Sequence, residues 1–284
     1  MKKQFKMNVK TSMKNYVKAI GVFTIALTMV SCQKDDLRTD ETEDYDEIVS
    51  SEMEQQDVQY DEVVGAHEDC DGSGFRRNLP ECATVTESGE SFPKTITIDF
   101  GDGCSTTNGR EKKGKVIITQ TDGMLVVGAS RTITFDGFSV NEVDVVGERT
   151  VVNTGENAAG NLVFTIEGEI TGTKGDRSRK RVFTREREWT AGRETCDRAD
   201  DEFMITGNAT ITAGSRTITR EITEPIYITP GVCKYPKSGK IFIDRGRKEG
   251  TIDFGDGTCD NVATLTTSKG KVKEINLDTR RVVD

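Results

Sequence analysis

Thiols are the side chains whose number and spacing promise chemistry in this chain: it has seven cysteines and a single histidine, His67, in 284 residues. Cys32 stands alone behind a basic, then apolar, leader. The other six are Cys70, Cys82, Cys104, Cys196, Cys233 and Cys259, an even number that reads as disulfides if the chain is exported. A short repeat selects among the possible pairings. Ile98-Asp99-Phe100-Gly101-Asp102-Gly103-Cys104 returns as Ile252-Asp253-Phe254-Gly255-Asp256-Gly257-Thr258-Cys259, and a cysteine precedes each copy, with 22 residues from Cys82 to Cys104 and 26 from Cys233 to Cys259. Each copy is also followed by Lys-Gly-Lys-Val, at Lys113–Val116 and Lys269–Val272. The repeat predicts related hairpins near 82–121 and 233–277, bridges Cys82–Cys104 and Cys233–Cys259, and by remainder Cys70–Cys196. Zinc is the competing use of cysteine, but no close Cys-x-x-Cys pair is present.

Acid–base chemistry has little material. With His67 in an acidic stretch ahead of the folded part, histidine triads and histidine–metal sites have no candidate. Nucleophile-elbow, Walker and dinucleotide-binding strings are absent. Asp144, Glu148, Glu167 and Glu169, on neighbouring predicted strands, could form a histidine-free glycosidase pair, yet acids commonly line the solvent face of such sheets. One tryptophan and five tyrosines are sparse material for sugar platforms. The expectation is therefore a protein that is not an enzyme and carries no cofactor or metal. For the repeated Asp-Phe-Gly-Asp-Gly, calcium through Asp99, Asp102, Asp253, Asp256 and Asp260 lacks EF-hand spacing and its terminal glutamate. A kinase reading lacks every companion motif. Turn chemistry is the expectation, glycines supplying positive φ. The string resembles the turn of polycystic-kidney-disease repeats, immunoglobulin-like sandwiches, over about six residues per copy; Ile98 or Ile252 stands where that family has tryptophan.

Residues 1–31 carry six lysines and no acid, ending in an uncharged run from Ala19 to Val30 and a small Ser31, the layout of a secretory signal. The apolar run is shorter than the roughly 20 residues a membrane-crossing helix needs. Thr28-Met29-Val30-Ser31-Cys32 resembles a bacterial lipobox, with Met29 in the usual leucine place. The resemblance implies cleavage before Cys32, palmitate-type acylation of its thiol, and a chain held on a membrane by several acyl chains. Gln33-Lys34-Asp35-Asp36 resembles the export signal of Bacteroidota surface lipoproteins, which implies an outer-membrane protein facing outward. Between Gln33 and Asp69 stand fifteen acids against Lys34 and Arg38, a net of −13, whereas Cys70–Asp284 carries only −2. The stretch 32–69 thus reads as an acidic tether, extended and solvated. Within it Tyr45, Ile48, Val49, Met53, Tyr60, Val63 and Val64 fall mostly three, four or seven apart, a stripe that predicts a partly helical segment able to dock on the domain or on a partner. Such a charge balance excludes nucleic acid as a partner. The partners expected are the membrane, through the anchor, and an envelope or extracellular macromolecule.

Residues 70–284 must position whatever the domain presents. Thr95–Phe100 alternates Ile96, Ile98 and Phe100 with polar residues, the pattern of a half-buried antiparallel strand. Comparable runs are predicted at 115–121, 130–135, 140–153, 162–173, 181–190, 202–212, 216–223, 226–229, 240–244, 251–254, 262–267 and 271–277, many separated by Gly, Asp or Asn clusters. No proline falls between residues 94 and 224. This predicts one all-β domain: a large curved antiparallel meander closing as a sandwich or partial barrel behind a flexible or partly helical tether. One strand carries charge on both faces. In Arg181–Trp189, Phe183, Arg185, Arg187 and Trp189 share a side, which reads first as an outer face of cross-strand ion pairs and alternatively as a ligand face using Arg185, Arg187 and Trp189. The Phe92–Gly101 and Asp253–Cys259 strings make the mature chain similar to a family of uncharacterised Bacteroidota lipoproteins, a resemblance that brings no activity with it.

Overall fold

Alternation of apolar and polar residues extends the chain over almost the whole domain. The structure, a computed structural model, describes residues 79–283 except 90, 107–108, 196, 247 and 279–280. Its strands are β1 (Thr84–Ser88), β2 (Lys94–Asp99), β3 (Cys104–Ser105), β4 (Glu111–Gln120), β5 (Ser130–Val140), β6 (Val143–Glu156), β7 (Leu162–Lys174) and β8 (Arg177–Ala191). They continue with β9 (Glu202–Ala213), β10 (Arg216–Ile228), β11 (Ser238–Asp244), β12 (Glu249–Asp256), β13 (Val262–Thr267), β14 (Val272–Asn276) and β15 (Arg281–Val283). All belong to one sheet in the order β1-β2-β4-β5 and onward to β15, with β3 set against β4. Every ladder is antiparallel, so the chain is a meander in which, the short β3 apart, sequence neighbours are sheet neighbours. The path ends at β1 and at β15: the sheet is open rather than closed into a ring.

One face is apolar and buried, the other polar. Across the middle of the sheet Ile118 stands beside Ile133, Ile133 beside Arg149, Arg149 beside Gly168, Gly168 beside Phe183 and Phe183 beside Ala209. The principal apolar cluster runs from Ile96 and Ile98 on β2 through Phe164, Trp189 and Ile205 to Ile228 on β10. A second cluster gathers Ile211, Ile218, Ile243, Ile252, Ala263 and Ile275 towards the β14 end.

Backbone irregularities bend the sheet. Gly147 and Gly207 have φ of 125° and 126°, and a Cβ on them would lie 2.1 Å from the Glu169 carbonyl oxygen and 2.2 Å from that of Thr184. Only glycine lets neighbouring backbones approach so closely. Register shifts fall nearby, between Thr134 and Ser139 on β5 and between Glu221 and Ile226 on β10. Bulges and glycine kinks of this kind curve a wide sheet towards one face.

Three boundaries differ from the sequence expectation. The run 140–153 is broken at Asn141-Glu142, both at positive φ (49° and 65°), which turn β5 into β6. The runs 216–223 and 226–229 are one strand, β10, carried past exposed Pro225 by a bulge that needs no amide hydrogen there. The two Lys-Gly-Lys-Val strings are not equivalent: Lys113–Val116 lies within β4, whereas Lys269–Lys271 forms the β13–β14 turn, where the Gly270 amide donates to the Thr267 carbonyl at 2.8 Å. Disulfides join Cys82 to Cys104 and Cys233 to Cys259. Cys32, Cys70 and Cys196, and with them the third expected bridge, lie outside the described residues.

Candidate functional site

On β8 the odd-numbered side chains turn to the buried face: Arg181, Phe183 and Trp189 are buried, Arg179, Arg185 and Arg187 half-buried, while Lys180, Val182, Thr184 and Glu186 are exposed. This corrects the expectation of an outer face. Alternation alone cannot say which of two mixed faces turns inward; the neighbours decide, because Arg187 pairs with Phe164 and Ile205, and Arg185 with Ile166. The Arg187 guanidinium lies 5.1 Å from the Phe164 ring centre and 5.2 Å from that of Phe203, and Arg181 lies 4.3 Å from Phe183. Such contacts favour a partly desolvated cation by about 1–2 kcal/mol.

Trp189, placed in the alternative ligand face, is only 3% exposed. Its Nε1 donates to Asp201 Oδ1 at 3.1 Å and its ring lies 5.5 Å from Phe203. It therefore offers no platform to a ligand. Arg185 and Arg187 do remain partly accessible on the same face.

The residues that sequence reasoning missed are further arginines in apolar register. Arg131 on β5 donates from Nε and Nη2 to Gln120 Oε1 at 2.8 and 2.6 Å, and Gln120 Nε2 donates to the Asp122 carbonyl at 2.8 Å. Arg149 stands between Ile133 and Gly168, and Arg220 between Ala209 and Ile243. Among the described residues the buried charged side chains are four arginines, Arg131, Arg149, Arg181 and Arg220, and one carboxylate, Asp201. Lys112, its amine held below the ordinary lysine value chiefly by burial, adds a cation at 5.1 Å from the Phe100 ring. A signal was present: Arg131-x-Ile133, Arg149-x-Val151 and Ile218-x-Arg220-x-Ile222 each place arginine in phase with an apolar face.

Carboxylates populate the opposite face. Asp144, Glu148, Glu167 and Glu169 are all exposed, Glu148 directly across from Glu169. Lys180 reaches Glu169 at 2.5 Å and Lys240 reaches Glu224 at 2.7 Å. Glu188 accepts from Asn157 and Asn161 Nδ2, both at 2.7 Å, which holds its carboxyl below the ordinary value and pins the β6–β7 turn.

The repeated Asp-Phe-Gly-Asp-Gly performs the same local task twice. The Gly101 amide donates to Asp99 Oδ1 at 2.8 Å, and the Gly255 amide to Asp253 Oδ1 at 2.9 Å. Gly101 and Gly255 have φ of 59° and 99°, so the first aspartate caps a turn that glycine permits. In the second copy Asp256 also accepts from the Thr258 amide at 3.1 Å and hydroxyl at 2.7 Å. Among the described residues no group of three or more His, Cys, Asp and Glu side chains could hold a metal ion.

Comparison with family models, with curated proteins and with solved structures returned no match.

Proposed function

We propose that this chain is a lipoprotein anchored through Cys32, displaying a disulfide-braced β domain at the outer surface of the outer membrane in a non-enzymatic, structural or macromolecule-binding role. The observation that carries the reading is the pair of disulfides on a sheet whose exposed face is polar and charged, since such bridges persist in exported proteins. The basic leader ending at Cys32 supplies the address, and its likeness to Bacteroidota lipoproteins points the same way. Two features favour a non-enzymatic role: the carboxylates nearest to a glycosidase pair stand on an open face, without the enclosure that glycosyl transfer uses, and Trp189 is committed to Asp201.

A second reading, binding of an anionic glycan or small ligand, is favoured by the half-buried Arg185 and Arg187 beside Phe164 and Phe203. It calls for negatively charged ligands rather than neutral sugars, because guanidinium groups, not an exposed indole, face the ligand.

Palmitate labelling of the native chain against Cys32→Ala, with protease shaving of intact cells, tests the location. Loss of label in the variant together with shaving of the native protein supports the reading. Label retained without Cys32, or complete protection of an intact-cell sample, overturns it.

A further inference from the structure

We infer that the outward face of β1–β6 is a dimerisation surface, and that its occupant is the same face of a second copy of this chain. Charge is segregated on the outer side of the sheet. From Ser88 on β1, one row crosses the strands through Thr95, Thr119, Thr132 and Thr150, each beside the next. The adjoining row starts at Thr86 and runs through Thr97, Ile117 and Thr134, and on the other side Ser130 stands beside Val152. All of these side chains are exposed or half-buried and none is charged. Charge begins at the borders: Asp99, Lys115 and Asp136 lie beyond one end of the rows, and Glu148 and Glu167 flank them on β6 and β7. In a chain with 31% charged residues, whose outer face further along carries Glu169, Lys180 and Lys240, the neutral block is a local property of the first strands.

Neutrality and area select a second copy as the occupant. In a two-fold contact a residue meets its own copy or a near neighbour, so a charged face repels itself and a neutral one does not. Hydroxyls of the block already bond one another across strands, Thr132 to Thr150 at 3.1 Å and Thr121 to Ser130 at 3.3 Å. Such a surface asks for few new hydrogen bonds, while its threonine methyls, Ile117 and Val152 gain by leaving water. No aromatic ring stands in these rows for a sugar to stack on. At about 4.8 Å between strands and about 6.8 Å between alternate residues, the block covers roughly 400 Å². The β4–β5 turn, which leaves the block at Thr121 and re-enters it at Ser130, adds Leu125, Val126 and Val127, exposed by 37%, 48% and 66%. A stable complex buries about 800 Å² a side, so the area predicts a weak, reversible dimer. Two twisted sheets pack face to face about 10 Å apart when their strands are nearly aligned, which suits this contact. The inference stands independently of the anchor and of the cell face that carries it.

The test is sedimentation of the full chain in density-matched detergent, from the micromolar range upward. A reversible monomer–dimer equilibrium is expected. Thr97→Glu/Thr132→Glu and Thr97→Lys/Thr132→Lys should each weaken the dimer at least about tenfold, and an equal mixture of the two should restore it as a heterodimer. Thr210→Glu, exposed on the same side of the sheet but on β9, should leave the equilibrium unchanged. Near-ultraviolet circular dichroism checks that each variant is folded, and re-pairing of the mixture shows it independently. Cys32→Ala is run beside the native chain: a dimer that persists without the thiol belongs to the domain, whereas one that vanishes with Cys32 and ignores the glutamates belongs to the anchor and overturns the inference. A chain that stays monomeric at every concentration overturns it, as does a mixture that fails to re-pair, or a folded monomer holding co-purified carbohydrate or lipid that the glutamates release.

Discussion

Replacing Trp189 by phenylalanine removes one hydrogen bond from the buried face. A smaller ring remains against Phe203, whose centre lies 5.5 Å from that of the indole, but the donor to Asp201 Oδ1 is gone and the lost indole atoms leave a cavity that adds to the cost. A buried acceptor that loses its donor costs about 1–3 kcal/mol. The unfolding free energy from urea titration should fall by at least that amount, through a lower midpoint at unchanged slope; no change would mean that Asp201 is held by its other neighbours. A second side-chain prediction concerns Asp278, which accepts from Lys234 Nζ at 2.9 Å, from the Tyr235 hydroxyl and from Asn261 Nδ2 at 2.8 Å. These donors, Lys234 first, hold its carboxyl far below the ordinary 3.8. Because the folded value is depressed, the stabilisation is complete above the unfolded value and is lost as pH falls below about 4 towards the folded one. Acidification should therefore lower the exchange protection of the Leu277 amide, which donates to the Asn261 carbonyl at 2.7 Å, relative to its intrinsic rate at each pH, and Asp278→Asn should flatten that dependence. At this scale the sequence shows cysteine pairing and turn aspartates through a repeat. It hides the inner arginines, because a guanidinium in phase with isoleucine is assigned to solvent by its charge until the neighbouring strands are known.

Strand by strand, what was legible is alternation, and what was not is where the backbone departs from it. Thr95–Phe100 and Leu162–Thr173 are found almost as the pattern predicts, since each has one wholly apolar side. The runs at β5–β6 and β10 are misread for opposite reasons. Asn141-Glu142 turns the chain without a glycine or proline signal, and Pro225 signals a break where a bulge carries the strand through. The hairpin supports a prediction: Glu142 sits at φ 65°, a left-handed conformation that costs a residue with a Cβ about 1 kcal/mol or more. Glu142→Gly should raise stability by about 0.5–1 kcal/mol despite losing the exposed pair with Lys174 at 3.1 Å. Gly207→Ala should do the reverse. With φ at 126° and the Thr184 carbonyl 2.2 Å from the new methyl, β8 and β9 must separate locally, and a loss of at least about 2 kcal/mol in thermal or urea unfolding is expected.

The whole molecule is a ladder with two ends, and its stability should be organised accordingly. Apart from the short β3, which lies against β4, each strand pairs only with the strands next to it along the chain, and the buried side chains fall into two clusters: one centred on β2–β10, the other on β9–β14. Opening can thus begin at either edge without breaking the centre, as in other chains whose units touch mainly their neighbours. The disulfides sit where such fraying starts. Cys82–Cys104 ties the approach to β1 to β3, and Cys233–Cys259 ties the β10–β11 connection to the β12–β13 connection. Closing loops of 22 and 26 residues restrains the opened chain by about 3 kcal/mol each. Cys82→Ala/Cys104→Ala should accordingly speed amide exchange in β1–β3 about 100-fold, and Cys233→Ala/Cys259→Ala should do so in β11–β13, while β6–β9 keep their native rates in both. A uniform acceleration over the sheet would show instead that the two clusters open as one unit. In that case curvature, which brings distant strands of the single layer under a common apolar face, would outweigh the linear order of the ladder.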